Sequence, residues 1–523
     1  MNVVIIHYHL NRGGVTQVVR NHLSSLDSVW GARQSNLPVT LLHGGRTTGW
    51  GTTTSTDFHN LNVEMDAVEE LDYDDLRPHK VPLYSSLSRE LENRGLKPAD
   101  TVLHFHNHAL GKNLELPDAV CRLAKNGFAC LLQIHDFVED FRPEQYRSLL
   151  SDRKPNRDAT VIEQVSGLLY PQAEQIQYAV LNGRDQDILI QAGLDPTRLH
   201  LLPNSIRDLQ TRTDKQQIRR EMATLGIPRD KPLFVYPVRG IRRKNLGEAL
   251  LWSALAETST TFAMTLAPMN PNEQPTYQRW VSVAERLQLN WRFNFSEAGY
   301  SLAEVIAASD RILTTSVCEG FGLTFLEAWL AGRPVVGRDL PEITTDFVAA
   351  GIRFPELSAK LKIPIDYVGR QHFCQSFATA YQRFFESFGP ALGAVKTDDL
   401  MRAANEQIID DLVDFALLNS QQQLSVIENV VSNELHRAKL LELNPTVAVA
   451  LQCSEPDANL IQNNSTAIRK QFSMQRIGEQ LLDIYHRLLR SDNDTSLKTL
   501  TFGHRVVDRF VSPCRFHPLR VEL

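Results

Sequence analysis

Residues 315–337 read Thr-Ser-Val-Cys-Glu-Gly-Phe-Gly-Leu-Thr-Phe-Leu-Glu-Ala-Trp-Leu-Ala-Gly-Arg-Pro-Val-Val-Gly. The preceding run, 311–315, is apolar enough to be a strand, which ends near Ser316. A loop then carries Glu319, and Gly320 and Gly322 let the backbone come close to a ligand. A helix is expected to about Ala331, with Gly332 at its C′ position and Pro334 opening the next strand. Strand, glycine loop, helix and strand in succession are the unit of a parallel α/β sheet. The helix N-terminus, with its free N–H groups and positive dipole end, suits a phosphate. Glu319 and Glu327 are eight residues apart, so both can face one cleft at different depths. Two acidic acceptors flanking an anion site suit a ligand with hydroxyls on both sides of a phosphate, and a nucleotide sugar is such a ligand. An isolated pair of glutamates is most often a solvated carboxylate and a cap; the glycines and the strand–helix–strand frame set this pair apart.

Upstream, residues 238–245 read Val-Arg-Gly-Ile-Arg-Arg-Lys-Asn, directly after the apolar run 233–237. Four cations within six positions sit at a strand's carboxyl end, where doubly wound sheets bind ligands. Arg239 and Lys244 are the candidate pair to clamp a diphosphate, with the arginine supplying a bidentate fork. The alternative is an exposed basic turn. Further strands are expected at 261–266 and 334–337, which completes one α/β domain.

The chain opens on a second such pattern. Residues 3–7 (Val-Val-Ile-Ile-His) are a β-branched run suited to a strand buried on both faces. Gly13-Gly14 follow, and Val15, Val18, Val19, Leu23 and Leu26 then recur at helical spacing. Strands are expected at 38–42, 101–105, 129–134 and 178–181, with a Gly/Thr-rich surface loop at 43–58. From about 366 the pattern turns helical, at 372–387, 407–439 and 474–490. The expected architecture is α/β: two Rossmann-like doubly wound domains facing across a cleft, plus a helical C-terminal region. Their bounds are 1–206, 207–365 and 366–523.

The whole chain has 523 residues, 55 Lys+Arg against 61 Asp+Glu and a net charge of −6, which argues against a dedicated nucleic-acid binder. No two of the six cysteines have C-x-x-C spacing, so neither a zinc ribbon nor a redox motif is indicated. There is no basic n-region and no run of about 18 apolar residues, so neither a signal peptide nor a membrane span is expected. A cytoplasmic protein is the expectation; oligomeric state is left open.

With these motifs quoted, the second half resembles a family 4 glycosyltransferase of the GT-B fold. That family carries an E-x7-E motif in a Glu-Gly-Phe-Gly-Leu setting, matched by Glu319 to Glu327, and an Arg and a Lys five apart after the first strand of the second domain, matched by Arg239 and Lys244. Its Pro-Asn-Gly before the linker is Pro203-Asn204-Ser205 here, and Val15-Thr16 replace the Ala-Glu that follows the glycine turn. The resemblance implies a retaining transfer of a hexose from a UDP-, GDP- or ADP-linked sugar to a hydroxyl acceptor, a small sugar, glycoside or polyol-type molecule, with no further cofactor. It implies that Glu319 contacts the sugar and Glu327 the ribose, and that Gly320, Phe321, Gly322 and Leu323 line the donor. Arg239 and Lys244 would neutralise the leaving diphosphate, and Gly13 and Gly14 would approach the phosphates from the first domain. It further implies that the donor binds the second domain and the acceptor the first. His106 or His108 would line the acceptor side with Asp136, and His135 would sit near the transferred sugar.

Eleven of the 16 histidines lie within residues 1–206. His104, His106 and His108 alternate along an extended segment and so could share one face. A metal site or a metal-dependent hydrolase is the alternative they raise, but no metal is expected. Asp72-Tyr73-Asp74 spells D-x-D outside any strand frame and is set aside. Three other readings remain: a nucleotide-sugar epimerase or a phosphorylase on the same fold, and a nucleotide-sugar-binding non-enzyme.

Overall fold

The computed structural model describes residues 1–31, 35–51, 57–77, 81–151, 160–207, 214–295, 299–492 and 496–522. Part of the expected 43–58 loop lies outside them. The chain forms two compact units. Unit 1 comprises Met1–Ser205, Ser387–Gly393 and Lys470–Ser512; unit 2 comprises Ile206–Glu386, Ala394–Arg469 and Pro513–Leu523.

Unit 1 is built on seven parallel strands: β1 (Asn2–His7), β2 (Leu37–His43), β3 (Leu61–Ala67), β4 (Thr101–His106), β5 (Ala129–Ile134), β6 (Ile176–Val180) and β7 (Leu199–Leu201). Their order is β3-β2-β1-β4-β5-β6-β7. The chain leaves β1 in one direction along the sheet and returns beside it as β4. That reversal makes the carboxyl ends of β1 and β4 the crevice where such sheets take ligands. Val3, Val4, Ile5 and Ile6 are wholly enclosed, which is why β1 reads as an unbroken apolar run. On one face the helix Gly14–Trp30 packs Val19, Leu23 and Leu26 against Val3, Ile5 and Leu41. The helix Met474–Leu488 lies along it and adds Ile477, Leu481 and Tyr485 to the same core. The two helices come so close at Gly478 that a Cβ there would sit 2.2 Å from the Ser25 carbonyl oxygen.

Unit 2 has six parallel strands: β8 (Leu233–Arg239), β9 (Thr261–Leu266), β10 (Trp291–Arg292), β11 (Arg311–Thr314), β12 (Val335–Arg338) and β13 (Leu357–Ser358). The order β10-β9-β8-β11-β12-β13 reverses between β8 and β11. A separate antiparallel pair joins β14 (Lys362–Pro364) to β15 (Leu412–Asp414).

Both sheets are doubly wound, as the sequence implies. The strands absent from the sequence reading are β3, β7, β10, β13, β14 and β15: β3 is half-exposed and rich in Asn, Glu and Asp, and the other five are two or three residues long. The continuous helical pattern over 407–439 is corrected. It is interrupted by β15 and by a break at Asn433, leaving the helices Ser420–Ser432 and Glu434–Leu443. Asn419 and Asn433 cap them through side-chain oxygens that accept from Gln422 and Leu435 N–H.

In urea melts, Gly478→Ala is expected to destabilise unit 1 by about 1–3 kcal/mol, because the added methyl must push two packed helices apart. Gly14→Ala has open space beside its Cβ and should stay within about 0.5 kcal/mol. Equal midpoints for the two variants would contradict this packing.

Candidate functional site

The two motifs singled out in the sequence fall on either side of the unit 2 switch point: the basic turn follows β8 and the Glu319 loop follows β11. Arg242–Lys244 form a single 3-10 turn, ended by Asn245 in the left-handed region at φ 50°. That turn is fastened to the end of β11. The Tyr236 hydroxyl donates to the Lys244 carbonyl at 3.0 Å and lies 2.7 Å from Ser316 Oγ. Thr315 Oγ1 donates to the same carbonyl at 2.8 Å. Val317 N–H donates to the Arg243 carbonyl at 2.9 Å.

These bonds bring Lys244 to Glu319: Nζ bonds Oε1 directly, and Arg243 Nη2 lies 3.9 Å from Oε2. Lys244 is 9% exposed. Burial would raise the Glu319 carboxyl, but Lys244 and then Arg243 outweigh it and hold the group below its usual value. Burial pushes the Lys244 ammonium down, and Glu319 only partly offsets this. Arg242 is turned elsewhere, with its backbone N–H and Nε on the Glu273 carboxylate at 2.7 and 3.1 Å. Arg239 is half-buried at the end of β8 and has no ion pair among the described residues.

The glycine loop behaves as its composition requires. Gly322 has φ 82°, and a Cβ there would meet the Phe325 ring at 2.7 Å. The Phe321 ring packs edge-on against Phe347 at 5.5 Å. Leu323 leads into the helix Thr324–Leu330, whose N-terminus no side chain caps. Glu327, in the first turn, is half-buried and has no hydrogen-bond partner among the described residues. Burial pushes its carboxyl up to about 7.

Behind the turn lies a buried network that the sequence reading missed. Asn245 Nδ2 donates to Glu248 Oε2 at 2.8 Å, and Gln423 Nε2 donates to Asn245 Oδ1 at 3.0 Å. Arg338 forks onto Glu248 (2.6 Å) and onto Asp414 (2.7 and 2.8 Å). Gly247 is required there, since a Cβ would lie 2.1 Å from Gln423 Oε1.

In unit 1, the ends of β4 and β5 carry His106, His108, His135 and Asp136. His106 Nδ1 lies 2.8 Å from His135 Nε2, with the rings stacked at 5.1 Å. His108 does not share a face with them. It lies beyond β4 and Asn107, which has φ 59°, and its Nε2 is 2.8 Å from the Leu169 carbonyl oxygen. Asn107 was not expected, yet its Oδ1 accepts from both His135 N–H (2.7 Å) and Asp136 N–H (3.0 Å), fixing that loop. Asp136 pairs with Arg142 at 3.2 Å. Gly13 and Gly14 begin the helix after β1 with no side-chain cap.

The histidines that do converge are His22, His104 and His106, each with a ring nitrogen within 4.8 Å of the others. They are the described residues that could hold a metal ion. His104 already has both nitrogens engaged, by Tyr485 OH at 2.8 Å and Gln133 Oε1 at 2.9 Å. Burial pushes His7 and His104 to about 3 and His108 and His135 to about 4, so these rings are neutral at physiological pH. Asp72 and Asp74 of the D-x-D are occupied by Arg46 and Arg77.

No protein-family model matches the chain. In sequence it is 27% identical over 361 residues to mannosylglucosyl-3-phosphoglycerate synthase of Petrotoga mobilis, a match covering 66% of each chain. The shared region thus spans just under two-thirds of that relative's length. In structure it superposes on HepE of Anabaena in complex with UDP-glucose with a TM-score of 0.54 at 13% identity, over 93% of this chain and 99% of that one. A glycosyltransferase from Rickettsia africae gives 0.52 at 10% identity, over 94% and 99%. The fold is GT-B, that of these glycosyltransferases. Within that fold the chain is similar to family 4, whose motifs it carries at Glu319 to Glu327 and Arg239 to Lys244.

The raised carboxyl of Glu327 has a consequence for stability. Its folded value of about 7 exceeds the unfolded 4.5, so its contribution is fully present below about pH 4.5 and is lost as pH rises through about 7. Glu327→Gln removes that loss. Thermal melts should therefore show the variant gaining on the wild type between pH 5 and 8, by on the order of 1 kcal/mol for a half-buried group. A pH-independent difference would contradict the assignment.

Proposed function

We propose that the chain is a glycosyltransferase that binds a nucleotide-diphosphate sugar in unit 2 and transfers its hexose, with retention, to a hydroxyl acceptor. The observation that carries this reading is the Lys244–Glu319 pair at the switch point of the unit 2 sheet. Lys244 and Arg239 supply positive charge where the leaving diphosphate gathers negative charge, which lowers the barrier electrostatically. Glu319 accepts from the sugar hydroxyls and Glu327 from the ribose. The backbone of Gly320 to Leu323 lies against the sugar, with no side chain at the two glycines to block it. No added cofactor is needed for this charge balance.

For the acceptor, His106, His135 and Asp136 are the groups of unit 1, with the neutral imidazoles offering hydrogen bonds rather than charge. This reading assigns Gly13 and Gly14 of unit 1 to the donor phosphates. A cavity of about 430 Å³ beside them is lined by Arg12 and Arg20 and, among the described residues, by no acidic one. Arg20 stacks over Trp50 at 5.2 Å and donates to the Gly49 carbonyl at 3.2 Å. Such a cavity favours an acceptor that carries an acid group. The name of the Petrotoga relative gives a phosphoglycerate as part of what it makes, which supports the same class.

Lys244→Ala and Glu319→Ala are each expected to cost at least about tenfold in transfer, with circular dichroism unchanged; full activity in both would overturn the reading. A thermal-shift screen against UDP-, GDP- and ADP-sugars identifies the donor by the one that raises the melting temperature. Incubation with that donor alone should leave it intact, since turnover without acceptor would mark an epimerase.

A further inference from the structure

A second polar cavity lies in unit 2, at the opposite ends of the strands. Pro232, Asp310 and Arg333, which lead into β8, β11 and β12, all line it. Lys244 and Glu319 follow the other ends of β8 and β11. β8 is seven residues long, so about 20 Å separates the two edges. The cavity has a volume of about 640 Å³ and is lined, among the described residues, by seven Lys and Arg side chains against three acidic ones. That excess is hidden in a chain whose net charge is −6.

Two of the arginines are structural in place but not saturated. Arg219 is 5% exposed; its Nη2 donates to the carbonyls of Pro228 (3.1 Å), Arg229 (3.2 Å) and Lys231, while its Nη1 is buried without a partner. Arg333 Nη2 donates to the Ala307 carbonyl at 2.7 Å, and its Nε is likewise buried and unpartnered. The carboxylate that could compensate them is Asp310, and it is already shared. Its Oδ1 takes Lys215 at 2.8 Å, and its Oδ2 accepts from Leu233 N–H at 2.9 Å and lies 3.8 Å from Arg219. Burial pushes the pKa values of both guanidinium groups down, and Arg219 adds to the effect on Arg333. At the rim, Arg220, Arg229 and Lys231 are exposed and make no ion pair among the described residues. Arg311, by contrast, is committed to Glu356 at 3.1 Å and to the Ser454 carbonyl at 2.7 Å, and takes no part.

We propose that this cavity binds a small phosphorylated anion at a site separate from the pair Lys244–Glu319. A phosphate presents three acceptor oxygens and close to two negative charges, which match the exposed Arg220, Arg229 and Lys231 and the surplus of cations in the lining better than a single carboxylate does. The cavity is a half-open pocket whose volume suits a small molecule.

The test is calorimetric titration of the full chain at low salt with inorganic pyrophosphate and, in parallel, glucose 6-phosphate. Wild type should bind. Lys244→Ala should retain that binding, because it disturbs only the other edge of the sheet. The triple variant R220E/R229E/K231E should bind at least tenfold more weakly, with its circular dichroism and its activity without added phosphate unchanged. Should the triple variant fail to fold, R229Q/K231Q is read the same way. Tighter binding of glucose 6-phosphate would mark an organic phosphate as the ligand and tighter binding of pyrophosphate an inorganic one; both support the site. No binding to wild type, complete loss of binding in Lys244→Ala, or affinity within twofold of wild type in the charge-reversal variant would overturn it. If Lys244→Ala and Glu319→Ala both kept full transfer activity, the transfer reading would fail while this titration still gave its answer.

Discussion

A buried ammonium is tolerable only beside a buried anion, and unit 2 is arranged to keep Lys244 and Glu319 together. Neither residue belongs to a regular element. Lys244 closes a single 3-10 turn and Glu319 sits in a loop, so neither position is set by a helix or strand ladder. The turn is instead fastened to β11 by the hydroxyls of Tyr236, Thr315 and Ser316. It is fastened behind by Asn245, whose left-handed backbone puts its side chain between Glu248 and Gln423. Glu248 in turn shares Arg338 with Asp414. Removing Arg338 would strand two buried carboxylates, a change that typically costs about 3–5 kcal/mol, and would loosen the seat of Lys244. This connects the helical segment after β13 to the chemistry: Asp414 and Gln423 hold the turn from behind without facing any ligand.

Unit 1 has the same sheet design but fills its switch point with different groups. Where unit 2 keeps charge, unit 1 keeps neutral imidazoles. Burial strips the protons from His7, His104, His106 and His135, and stacking of His104, His106 and His135 at 4.3 and 5.1 Å requires that neutrality. Asn107 then fixes the backbone of His135 and Asp136 through one side-chain oxygen. A left-handed asparagine thus performs at the end of β4 what Asn245 performs after β8: it lets the chain turn and commits its amide to neighbouring groups, the His135–Asp136 loop for Asn107 and the helical side chains Glu248 and Gln423 for Asn245.

The central strands were legible because burial on both faces forces continuous apolar runs, as at 3–7, 129–134 and 233–237. The E-x7-E block and the basic turn were legible because glycine, proline and charge punctuate them locally. What escaped detection depends on residues far apart in the chain. Arg338 and Glu248 are separated by 90 positions and Gln423 and Asn245 by 178, and nothing local to any of them signals the partner. His22 is one polar residue within an amphipathic helix, and only the packing of that helix on β4 brings it to His104 and His106. His108 misled for the opposite reason. Its alternation with His104 and His106 implies a shared face, but the strand ends at His106 and Asn107 turns the chain before His108 is reached.

The pairing of Lys244 with Glu319 also constrains how a donor would enter. Without ligand, each satisfies the other, so neither is left as an isolated buried charge. A nucleotide-diphosphate sugar brings both complementary groups at once: phosphate oxygens for the ammonium and hydroxyl donors for the carboxylate. Binding can then exchange one set of partners for another without passing through an uncompensated charge. A ligand offering only the diphosphate would take Lys244 and leave Glu319 to Arg243, which lies 3.9 Å away. A free sugar would engage Glu319 while leaving Lys244 without an anion. Under the proposed function, the pair would therefore favour a ligand in which sugar and diphosphate are joined, a selectivity that follows from the pair's burial rather than from any single contact.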